Sequence, residues 1–89
     1  MLEGQVTIVN ARGLHARAAA KFVHLASGFE CRVTVCTGRD EADGKSILSL
    51  MVLGAARGCT VVVRTDGDDE QPALSELGAL IGGGFDERD

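Results

Sequence analysis

The chain has 89 residues, enough for one hydrophobic core but not two, so residues 1–89 are expected to form a single domain. A hydrophobic share of 45% beside a charged share of 25%, with one Pro, excludes a disordered chain. A formal net charge of -4 argues against a nucleic-acid binder, and no apolar run approaches the roughly 20 residues of a membrane span.

The first element is "QVTIV" (5–9), a strand with Val6 and Ile8 on one face and Thr7 on the other. "ARGLH" breaks the alternation, and from Ala16 the period changes. Ala19, Phe22, Val23 and Ala26 stand at i, i+3, i+4 and i+7, the apolar stripe of a helix, while Arg17, Lys21 and His24 form a polar stripe. Gly28, just past Ser27, is its stop signal. "CRVTVCT" (31–37) alternates again, with Cys31, Val33 and Val35 sharing a face, and "DEAD" (40–43) can return as an edge strand before Gly44. "SILSLMVLG" is rich in unbranched apolar residues and capped by Ser46 and Gly54, so it is expected to be a helix. "TVVVRT" (60–65) is the clearest strand. Asp68 or Asp69 then caps a last helix, with Pro72 in its first turn and Leu74, Leu77, Leu80 and Ile81 as its buried stripe, until "GGG" (82–84) ends it.

The order is βαββαβα. So few residues can bury these apolar sides simply if a four-stranded, mainly antiparallel sheet is covered on one face by three helices. The expected fold class is therefore α+β, an open-faced β-sandwich. Cys31, Cys36 and Cys59 form an odd set without CxxC spacing, and no apolar leader precedes the first strand. We expect a reduced, cytoplasmic protein with no metal and no cofactor, since the cysteines and two histidines lack finger-like spacing. The acidic runs "DGDDE" (66–70) and "DERD" (86–89) read as solvated surface.

His15 stands at the mouth of the first helix. The opening turn of a helix offers unsatisfied N–H groups and about half a positive charge. An imidazole there is expected to be neutral and nucleophilic near pH 7, and an anion attached to it would be held by the same N–H groups. Arg17 adds a guanidinium fork suited to phosphoryl oxygens, and Gly13 permits a tight approach that a β-carbon would obstruct. Positioning and charge stabilisation would then carry a phosphoryl transfer. On these residues alone the other reading stays open: His15 only caps the helix and Arg17 is surface.

"GLHARAAAKFV", with "GKSILSLMVLG" and "GDDEQPALSEL" in register behind it, closely resembles the HPr family, the histidine-containing phosphocarriers of the bacterial phosphoenolpyruvate-dependent phosphotransferase system. The likeness spans nearly the whole chain. It implies that His15 takes a phosphoryl group on Nδ1 from phosphorylated enzyme I and passes it to a histidine of an enzyme IIA protein. It further implies that Arg17 steadies the phosphohistidine, and that the protein is a stoichiometric carrier, not an enzyme. One departure is Ala18, where the family usually has Pro. A first-turn proline pre-organises a helix start, so a slightly looser loop is expected here.

The run from Gly38 to "GKS" is not a nucleotide-binding P-loop, because five residues separate the glycines where that motif needs four. Ser46 is expected to cap the second helix. By resemblance it is also a candidate for regulatory phosphorylation by an HPr kinase/phosphorylase. Leu50 and Leu53 can face the sheet, but Ile47, Leu48 and Met51 cannot all be buried with them, and such a patch marks an interaction site. By resemblance Ala16, Ala20, Ile47, Leu48 and Met51 dock enzyme I and enzyme IIA, with the protein a monomer. The rim is less basic than in many family members, with His24, Ser27 and Ser49 at the matching positions. Sugar uptake and a nitrogen-related regulatory relay both fit. The competing class is a non-catalytic regulatory module that binds a protein through Ile47, Leu48 and Met51.

Overall fold

Polar and apolar residues alternate along four segments, and each becomes a strand in the computed structural model, which describes residues 1–38 and 40–87. In chain order the elements are β1 (Leu2–Thr7), α1 (Ala16–Ala26), β2 (Arg32–Thr37), β3 (Asp40–Asp43), α2 (Ile47–Leu53), β4 (Thr60–Asp66) and α3 (Glu70–Gly82), followed by a single 3-10 turn at Gly84–Asp86. The strands pair in the order β1-β4-β2-β3, every pair antiparallel. "DEAD" is the edge strand, as its polar composition suggests. The expected open-faced sandwich is the fold observed.

β4 lies between β1 and β2, so the two strands joined by α1 run parallel without touching. Val61, Val63 and Thr65 of β4 and Val33 and Val35 of β2 turn to the helices and are fully buried. Each such valine contributes about 1.5–3 kcal/mol through lost apolar exposure. The other face is mainly polar, with Val62 and Cys36 paired and half-buried on it. There Arg64 pairs with Glu3 at 2.9 Å and with Glu41 at 3.4 Å. Thr65 is the polar residue among these inward-facing strand positions, and its hydroxyl donates to the Glu70 carbonyl at 2.9 Å.

α1 presents Ala18, Ala19, Phe22 and Ala26 to the core, the three alanines letting its backbone lie close to its neighbours. α3 buries Ala73, Leu77 and Ile81, with Leu74 and Leu80 packed at the margin. It crosses β1 where Gly4 leaves room, since a β-carbon there would meet Leu74 Cδ1 at 3.3 Å.

Two expectations are corrected in detail. The first strand begins and ends earlier than residues 5–9, because its register with β4 runs from Leu2↔Thr65 to Thr7↔Thr60 and β4 starts there. Ile8 continues the pairing irregularly, its N–H donating to Cys59 O and its carbonyl accepting from Gly58 N. Asp69 occupies the N-cap position of α3 but makes no side-chain cap bond. Its carboxylate instead accepts the backbone N–H groups of Glu30 (2.7 Å) and Cys31 (2.9 Å), tying the start of α3 to the entry of β2. Those bonds, Glu30 foremost, hold its carboxyl below the usual range. Glu70 reaches back to Gly67 N and to the terminal ammonium, so "DGDDE" is structural as well as solvated.

Candidate functional site

The loop between β1 and α1 is held from both ends. Gly13 N donates to Asn10 O at 3.1 Å, Leu14 N donates to Ala55 O at 2.8 Å, and Leu14 is buried. Gly13 sits at φ +62, and a β-carbon on it would come within 2.6 Å of Ala55 O. The tight approach expected of this glycine is therefore real, and its neighbour is the chain just past α2.

His15 is the N-cap of α1, with extended backbone (φ -80, ψ 178) and its carbonyl accepting from Ala19 N at 2.8 Å. Its Nδ1 accepts the N–H of Arg17 at 3.2 Å, so the imidazole takes the place that Ser or Asp usually fills. Its side chain remains 21% exposed. The ring is thus partly exposed, with its Nδ1 facing the Arg17 amide in the first turn. Arg17 is exposed beside it, and its guanidinium has no carboxylate partner among the described residues. Ala18, at the position of the family proline, is helical and fully buried.

The opposite ring nitrogen is occupied. His15 Nε2 bonds to Glu87 Oε2, while Glu87 Oε1 accepts Asn10 Nδ2 at 2.7 Å. The same Asn10 amide donates to Gly13 O at 2.7 Å, and Asn10 is 2% exposed. The tail reaches this point through a hook. Phe85 is completely buried, Lys21 Nζ donates to its carbonyl at 2.7 Å, and Phe85 and Asp86 both have positive φ. The His15 ring, then the Asn10 amide, pull the Glu87 carboxyl below its ordinary range, with burial opposing them. "DERD" as plain solvated surface is thereby corrected for Glu87, and Arg88 and Asp89 lie outside the described residues. A signal was present: one of only three Phe follows the glycine run.

Ser46 caps α2, its Oγ accepting from Ser49 N at 3.2 Å, and Gly54 closes the helix in the left-handed conformation. Leu50 is buried and Leu53 packs at the core margin, as expected. Ile47, Leu48 and Met51 are exposed, and so is Val52, the most exposed of the four at 78%. Val52 was not among the residues expected in the patch, although its β-branched apolar side chain belongs to the same short run. α2 packs beside α1, where Ala16 is exposed and Ala20 half-buried.

The family model "PTS HPr component phosphorylation site" matches residues 2–82. The chain belongs to the HPr family. It is 46% identical over 87 residues to the phosphocarrier protein HPr of Cupriavidus necator, covering 98% of each chain. It is also 43% identical over 86 residues to the phosphocarrier protein NPr of Shewanella violacea, covering 97% of this chain and 94% of that one. Among solved structures, HPr-C-His from Thermoanaerobacter tengcongensis superposes with a TM-score of 0.94 at 39% identity over the full length of both chains. HPr proteins are phosphocarriers of the bacterial phosphotransferase system, and this one is a carrier of that system, not a catalytic enzyme. Its partners are accordingly of the enzyme I and enzyme IIA type.

Proposed function

We propose that His15 accepts a phosphoryl group on Nδ1 from phosphorylated enzyme I and delivers it to a histidine of an enzyme IIA protein. The observation that carries this is Nδ1 directed at the Arg17 amide from the N-cap of an 11-residue helix. In the transfer the Nδ1 lone pair forms the new N–P bond, and the bond to the donor breaks with its electron pair returning to the donor. The Arg17 N–H released from Nδ1 is then placed to meet a phosphoryl oxygen, and the Arg17 guanidinium can close on another. Delivery to enzyme IIA is the same exchange reversed on a new acceptor.

Ala16, Ala20, Ile47, Leu48 and Met51, joined by Val52, form the docking surface in this reading. A partly apolar, partly exposed face flanking the acceptor suits partners that must bring their own histidine to it. Ser46 is the regulatory position: its half-buried hydroxyl borders that face, so a phosphate set there by an HPr kinase/phosphorylase would put a near-dianion among side chains that partners need apolar. Residues 1–89 act as one monomeric carrier domain. Three free thiols support a cytoplasmic site of action, and no helix among the described residues is long and apolar enough to cross a membrane.

The test is direct. With phosphoenolpyruvate and a cognate enzyme I, the protein gains one acid-labile, alkali-stable phosphoryl group, and a His15→Ala variant gains none. Equal labelling of that variant would end the reading.

A further inference from the structure

The acceptor nitrogen of an imidazole must carry a lone pair, and the neutral ring can place its proton on either nitrogen. Here both nitrogens have partners, and the partners differ in kind. Nδ1 faces a donor, the Arg17 N–H, and Nε2 faces the Glu87 carboxylate, which only accepts. The Nε2–H form is therefore the one that satisfies both contacts.

We propose that Glu87 is a positioning residue that fixes the tautomer of His15, holding the proton on Nε2 and leaving the lone pair on Nδ1. Asn10 sets the orientation in which Glu87 acts. The contacts form a chain with one polarity: His15 Nε2–H donates to Glu87 Oε2, and Asn10 Nδ2 donates to both Glu87 Oε1 and Gly13 O. Asn10 cannot turn its amide over, because its oxygen would then confront the Gly13 carbonyl. Its Oδ1 is buried with no partner among the described residues, so the amide is held through its NH2 alone. Phe85 and Lys21 anchor the segment that carries Glu87 to this point.

When Nδ1 takes a phosphoryl group, the ring keeps its Nε2 proton and gains positive character. The carboxylate already bonded there stabilises that charge without moving, as a buried carboxylate does behind a catalytic imidazole. The proton stays on Nε2 throughout.

This inference rests on His15 being the acceptor, but its decisive measurement does not, because the tautomer is read in the unphosphorylated protein with no partner present. Glu87→Gln keeps the shape of the side chain and replaces one carboxylate oxygen with an amide nitrogen. In that variant the Asn10 NH2 claims the remaining side-chain oxygen, which leaves the introduced amide NH2 facing His15. That donor demands a lone pair on Nε2 and drives the proton to Nδ1. Long-range 15N–1H correlation spectra should show the Nε2–H form in the natural protein, mainly the Nδ1–H form in Glu87→Gln, and a mixture in Glu87→Ala. Phosphoryl uptake from enzyme I should slow by about a hundredfold in Glu87→Gln, since the wrong tautomer blocks the acceptor. Retention of the Nε2–H form in Glu87→Gln would overturn the proposal. An inverted tautomer with an unchanged rate would overturn its bearing on the transfer.

Discussion

Lys21 holds Phe85 from 64 positions away in the chain, its ammonium donating to the Phe85 carbonyl at 2.7 Å. The two residues lie on different elements, yet together they decide where the tail ends. Phe85 fills the core, and Lys21 satisfies a carbonyl in a turn whose left-handed backbone costs about 1 kcal/mol per non-glycine residue. Lys21→Met keeps the aliphatic stem and removes the donor. It is expected to lower stability by about 1.5 kcal/mol in urea unfolding, and to speed amide exchange at residues 85–87 more than in β4.

Gly13→Ala should be costly. Its φ of +62 is left-handed, and the added methyl would meet backbone, not a movable side chain, at Ala55 O. A loss of at least about 2 kcal/mol is expected from the urea midpoint at constant slope. The same substitution at Gly78, where nothing lies within 4 Å, should be neutral or stabilising.

Acid should loosen the hook and the β2 entry together. Glu87, faced by His15, the Asn10 amide and Lys21, and Asp69, faced by the Glu30 and Cys31 N–H groups and the Cys31 thiol, both have depressed carboxyl pKa values. A carboxyl depressed in the folded state contributes stability that is fully present above its unfolded pKa and is lost as pH falls through the folded one. Stability should therefore decline as pH drops below the ordinary values of 4.5 for Glu and 3.8 for Asp. Glu87→Gln and Asp69→Asn should each flatten that acid limb in urea titrations across pH, and a limb unchanged in both variants would contradict the assignment.

Val52→Glu tests the proposed docking face at its most exposed apolar residue. Partner binding by titration calorimetry should weaken by about tenfold or more, while thermal unfolding changes little, because the side chain is already in water. Leu50→Glu, on the buried side of the same helix, should instead unfold the protein.

Much of this fold was legible because its strands alternate and its helices stop where caps stand. Val33 and Val35, or Phe22 and Ala26, announce their faces through spacing alone. His15 and Arg17 were legible for a related reason, since a helix start and a turn of glycine place them locally. What could not be read depends on distance in the chain. Asp69 has the residue type of a helix cap, yet it spends its oxygens on Glu30 and Cys31, 39 and 38 positions away. Glu87 lies in an acidic tail, where Phe85 signals that the segment is anchored in the core but not that the chain hooks back 72 positions to an imidazole. Strand ends shifted for the same reason: the register of β1 is set by β4, not by β1.

The order of strands also governs how the molecule is made. β1 and β2 leave the ribosome with a vacancy between them that only Thr60–Asp66 can fill, and Leu2 must wait for Thr65 before it has a neighbour. A nascent chain halted before β4 exposes two hungry edges, so assembly of the sheet is deferred until β4 is available to fill the gap.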